Sequence, residues 1–178
     1  MNLRQEILKE KMYTKDQALT VSDYACSTPG RFKQLMECFL SNEYRLAQRA
    51  AWSVSWATRK KPALIKPYIK DLVIQLQRKD AHDAVIRNSV RILQQIDIPA
   101  SLHGELMNTC FGFIGSNSAP PAIKAFSLTV LSNLAKFYPD IIHELKLIIE
   151  ERWNHETAAF KSRGGKILKA FAGNKSAN

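Results

Sequence analysis

An Asn or Asp stands seven residues ahead of a basic residue at four places: Asn42 before Arg49, Asp80 before Arg87, Asn117 before Lys124 and Asn154 before Lys161. Successive pairs are 38, 37 and 37 residues apart. Nothing else in the chain restricts its fold as strongly. Self-similarity at a fixed period of some tens of residues marks a chain built from stacked copies of one supersecondary unit. A single match would carry little weight, because Asn and Asp are common in turns and Lys and Arg are common in helices. Four matches at one offset, in phase with the apolar pattern, make coincidence an inadequate account.

The apolar residues recur at three and four, as in Leu64, Ile65, Tyr68, Ile69, Leu72, Val73 and Leu76, and period-two alternation is never sustained. The chain therefore reads as all helix. Its prolines fall mostly at the edges of the periodic runs, where a missing N–H costs a helix little. Within each period the order of events is the same: an apolar-periodic helix, the Asn/Asp turn, then a second helix. The first helices are expected at 32–40, 64–77, 102–114 and 141–153, and the second at about 43–58, 83–96, 121–137 and 156–171. Each period is thus a helical hairpin. At the turn, a short Asn or Asp side chain is expected to accept hydrogen bonds from the unpaired N–H groups that open the second helix. The basic residue further on is expected to reach back to the turn of its own or the neighbouring unit.

With those residues in view, the chain resembles the HEAT repeat family, whose units are paired helices with Asp or Asn in the turn and Arg or Lys early in the second helix. The best match runs from Leu64 through Pro67 and Asp80 to Leu93. Three of the four turn positions are Asn, two of the four basic positions are Lys, and the last second helix contains Gly164-Gly165. Such a Gly pair either kinks the helix or admits a close neighbour, at about 1 kcal/mol each relative to Ala. The resemblance implies an all-α, HEAT-like α-solenoid of about four hairpins over residues 29–172. Residues 1–28 are expected to form capping helices and 173–178 a disordered tail, within one domain.

Chemistry-bearing motifs are sparse. Cys26, Cys38 and Cys110 include no C-x-x-C pair and read as buried free thiols. The histidines, His82, His103, His143 and His155, are not arranged as H-E-x-x-H, and Gly112 and Gly115 lack the rest of a phosphate loop. Neither an enzyme nor a cofactor nor a metal is expected. HEAT-like DNA glycosylases use aromatic residues with an Asp in their groove, but the run Trp52 to Arg59 contains no Asp, so that activity does not carry over. Trp52 and Trp56, at i and i+4, read as part of a core stripe.

Charge bears on partners. The chain's 178 residues carry a net charge of +10, distributed as +2, +5, −1 and +4 over residues 1–50, 51–100, 101–150 and 151–178. A phosphate track would repeat basic residues in every unit, and the third segment has almost none. The resemblance places the second helices along the concave face, where Asn88, Arg91, Gln95, Leu128 and Lys169 are the expected partner contacts. The run Arg59-Lys60-Lys61 is expected to offset the negative end of its own helix, or with Lys66 and Lys70 to form a partner-binding patch. A protein or peptide is the expected partner and nucleic acid the alternative. The chain reads as a cytoplasmic monomer with no membrane association, because no stretch approaches the ~20 apolar residues of a membrane span.

Overall fold

Short polar side chains and prolines open the helices. Asn2 Oδ1 accepts the Gln5 N–H at 3.1 Å at the start of α1 (Leu3–Leu8). Thr14 and Gln17 exchange hydrogen bonds in a capping box ahead of α2 (Lys15–Ala25). Thr28 caps α3 (Pro29–Phe39), whose first residue is proline. The computed structural model describes residues 1–172, so the expected tail at 173–178 lies outside the described residues. The remaining helices are α4 (Tyr44–Lys60), α5 (Ile69–Gln77), α6 (Asp83–Leu93), α7 (His103–Gly115), α8 (Pro121–Leu134), α9 (Ile141–Arg152) and α10 (Ala158–Ala172), with no strand among the described residues. The hairpins are α3/α4, α5/α6, α7/α8 and α9/α10, and none of Asn42, Asp80, Asn117 and Asn154 lies within an α-helix.

The chain divides into two compact units, Met1–Asp97 and the part that begins at Ile98. In the first, α1, α2 and α3 pack on α4, while α4 and α5 pack on α6. Phe32, Phe39, Leu35, Met36, Val54 and Leu72 are fully buried there. At about 1.5–3 kcal/mol for each such side chain, this burial is the main force holding the helices together. In the second unit α7 packs on α8 and α8 on α10, around Leu106, Ile114, Leu131, Leu145, Ile149 and Phe160.

Two local expectations need correction. The first helix of the second hairpin, expected from Leu64, is a 3-10 helix over Pro62–Tyr68 and becomes α-helical only at Ile69. Pro67 has no N–H to donate, and its ring would collide with the carbonyl four residues earlier in an α-helix. The turn Asn and Asp side chains, in turn, do not cap the second helices. His82 caps α6 by accepting the Ala84 N–H on Nδ1 at 2.9 Å, and α4 and α8 have no side-chain cap.

Gly164 and Gly165 admit a close neighbour without breaking α10. A Cβ on Gly164 would stand 2.9 Å from Ile149 Cγ2, and one on Gly165 would stand 3.5 Å from Trp153. The missing side chain of Gly164 is what lets α10 close on α9, whereas a Cβ on Gly165 would meet Trp153 only in ordinary contact.

Candidate functional site

The turn residues of the hairpins join neighbouring hairpins through arginines that precede the next turn. Arg78 donates to Asn42 Oδ1 at 3.1 Å and pairs with its own Asp80 at 2.7 Å. Arg152 likewise donates to Asn117 Oδ1 at 3.1 Å and to the carbonyls of Gly115 and Ser116 at 2.9 and 3.0 Å. Each arginine sits two residues ahead of its own turn Asp or Asn, at Asp80 and Asn154.

The four basic residues after the turns, expected to share one role, have different surroundings. Arg49 is buried and donates to the carbonyls of Ile7, Glu10 and Lys11 at 2.9, 2.9 and 2.7 Å, tying the end of α1 to α4. Lys124 is buried and donates to Glu156 Oε1 at 2.6 Å, which also accepts from Arg152 Nε at 3.0 Å. Burial alone would raise the Glu156 pKa, but the bonds from Lys124 and Arg152 outweigh it and hold the carboxyl below its ordinary value. Arg87 is exposed and Lys161 half-buried. Turn length alone does not account for the divergence: four residues separate α3 from α4, but five separate both α5 from α6, where Arg87 is exposed, and α7 from α8, where Lys124 is buried. Arg49 is the sixth residue of its helix, Arg87 the fifth and Lys124 the fourth, and one residue turns a helix position by about 100°.

Burial corrects part of the expected partner-binding set. Leu128 is fully buried and so not available to a partner, while Asn88 is buried with its Nδ2 donating to Ala84 O at 2.8 Å. Arg91 is half-buried, while Gln95 and Lys169 are exposed. Lys60 pairs with Asp23, Lys61 donates to the Cys26 carbonyl at the end of α2 at 2.9 Å, and Arg59 lies over the Trp56 ring. That run is thus engaged with α2 and α4. Lys66 and Lys70 are exposed. Trp52 and Trp56 are half-buried at the surface and not in the core.

An open groove of about 490 Å³ lies within the first unit, between α4, α6 and the segment joining α1 to α2. From α4 come Arg45, Gln48, Arg49 and Trp52, and from α6 come Ala84, Arg87, Asn88 and Arg91. Both sets follow the i, i+3, i+4, i+7 spacing of one helix face. Lys11, Met12 and Tyr13 close the third side. No carboxylate lines this groove. Burial, then the neighbouring Arg45 charge, loosens the hold of Arg49 on its proton, and burial, then Arg59 and Arg87, does so at Arg91. The cations therefore crowd one another. Sequence reasoning had singled out Arg91 and Asn88 here, but not Arg45, Gln48 or the Lys11–Tyr13 wall. The i, i+4 spacing of Arg45 and Arg49 was a usable signal, whereas nothing local marks the wall.

A family model of the HEAT repeat domain matches residues 4–171. The chain belongs to the HEAT repeat family. Comparison with curated proteins and with solved structures returns no match. The all-helical architecture is that of a HEAT-like helical solenoid, and HEAT repeats generally serve as protein-interaction scaffolds. In this HEAT repeat domain no helix among the described residues is long and apolar enough to cross a membrane. No group of three His, Cys, Asp or Glu side chains is placed to hold a metal ion among those residues. The buried His103 is held by its second unit: Nε2 lies 2.8 Å from the Ile98 carbonyl and Nδ1 3.0 Å from the Tyr138 hydroxyl. A carbonyl only accepts, so Nε2 carries a proton.

Proposed function

We propose that this HEAT repeat domain is a non-enzymatic interaction module that seats a segment of a protein partner in the groove between α4 and α6. The observation that carries this reading is the groove's lining. The apolar Met12, 77% exposed, and the half-buried Trp52 stand beside Gln48 and the arginines of both helices. Apolar anchors next to hydrogen-bonding groups on packed helices suit a docked peptide. The family's general role as an interaction scaffold supports the same reading.

Selection from a displayed peptide library against the purified domain tests it, with Trp52→Ala and Gln48→Ala as comparison proteins. Peptides selected on the native domain are expected to lose affinity for both variants while the circular dichroism of the variants stays native. Selected peptides that bind the variants as tightly as the native domain would place the docking surface elsewhere and overturn the assignment.

A further inference from the structure

Resting on that reading, we infer that the groove takes an acidic peptide segment in extended conformation, its alternate carboxylates seated on Arg87 and Arg91.

Most arginines of the chain are already satisfied. Arg4 pairs with Glu43, Arg78 with Asp80 and Arg152 with Glu156, and Arg49 is bound to three carbonyls. Arg87 and Arg91 form no ion pair or hydrogen bond among the described residues, although Arg91 is half-buried and has Arg59 and Arg87 as like-charged neighbours. Holding guanidinium groups together without counter-charge costs stability, and a carboxylate ligand removes that cost. Arg45 and Lys11 extend the positive lining toward the other wall.

Register selects the form of the ligand. Arg87 and Arg91 are one helical turn apart on α6, about 6 Å. In an extended peptide, side chains on one side recur every second residue, about 6.6–6.8 Å apart. Carboxylates at alternate positions therefore meet the two guanidinium groups in succession, each able to accept a bidentate pair of hydrogen bonds.

Nucleic acid is the competing polyanion, and the aromatic residues argue against it. Single-stranded nucleic acid needs open ring faces for its bases. Tyr13 stands edge-on to Trp52 at 6.3 Å, and Lys15 and Arg59 lie over Trp56 at 5.6 and 5.3 Å. In the second unit, the only charged residue of α8 is Lys124, which is buried against Glu156.

Fluorescence anisotropy with three labelled probes tests the inference: a peptide alternating Glu and Leu, its counterpart with Gln for Glu, and oligo-dT. The Glu peptide is expected to bind about tenfold or more tighter than the Gln peptide, and to lose about tenfold on Arg87→Gln or Arg91→Gln. Arg91→Lys, which keeps the charge without the planar fork, is expected to recover only part of that loss. Equal binding of the two peptides, both weakened by Trp52→Ala, would overturn the acidic specificity and leave peptide docking intact. Oligo-dT binding tighter than the Glu peptide and lost on Arg87→Gln would overturn the choice of ligand. Binding of none of the three probes would overturn this inference while the library selection still decides whether the groove docks peptides.

Discussion

Arg152 donates to the side-chain oxygen of Asn117 at 3.1 Å, across 35 residues of chain, and thereby joins the turn of the α9/α10 hairpin to that of α7/α8. The same guanidinium also binds two backbone carbonyls and Glu156. An exposed ion pair would be worth little, but here the Glu156 and Lys124 side chains are each 5% exposed.

Replacing Arg152 by Ala therefore leaves a buried carboxylate with one cation and strips two carbonyls of their donor. A loss of about 3 kcal/mol in unfolding free energy is expected from such a disruption. Arg78→Ala, at the equivalent place beside the exposed Asp80, is expected to cost much less. Urea denaturation of the two variants beside the parent checks the order.

Acid should weaken the same node. Glu156 has a folded pKa below its ordinary 4.5, so the unfolded chain takes up its proton first as pH falls. Its contribution is fully present above about 4.5 and disappears as pH drops through the folded value. Denaturation midpoints measured across the acid range should fall for the parent and fall less for Glu156→Gln, which is less stable at neutral pH.

The two adjacent glycines of α10 should respond oppositely to Ala. At Gly164 a Cβ meets Ile149 Cγ2 at 2.9 Å, and Ile149 is β-branched and stiff, so about 1–3 kcal/mol is lost. At Gly165 the nearest contact is an ordinary 3.5 Å to Trp153, and helix propensity favours Ala by up to about 1 kcal/mol. Thermal unfolding of the two single variants reads the sign directly.

Arg49 holds the end of α1 through three carbonyls, and Lys cannot reproduce its planar fork. Arg49→Lys is expected to loosen the first helix and speed proteolytic cleavage near Lys9 and Lys11, leaving the α7–α10 unit equally resistant. Limited trypsin digestion followed by mass spectrometry distinguishes that pattern from general destabilisation.

The helical hairpins, their turns and the family were legible in the chain because they depend on local periodicity. Apolar spacing places the helix faces, and Asn42, Asp80, Asn117 and Asn154 recur where the backbone leaves one α-helix for the next. Which side chain carries out each long-range contact was decided only in three dimensions. Arg87 lies at the surface where Arg49 and Lys124 are buried, and Arg78 and Arg152 took up the turn side chains instead. The groove depends on the same non-local placement, since the Lys11–Tyr13 segment meets α4 and α6 only after the chain has folded back on itself. Periodicity is a property of neighbours along the chain, but a rotation of about 100° per residue makes the direction of any one side chain depend on where its helix begins and how that helix packs.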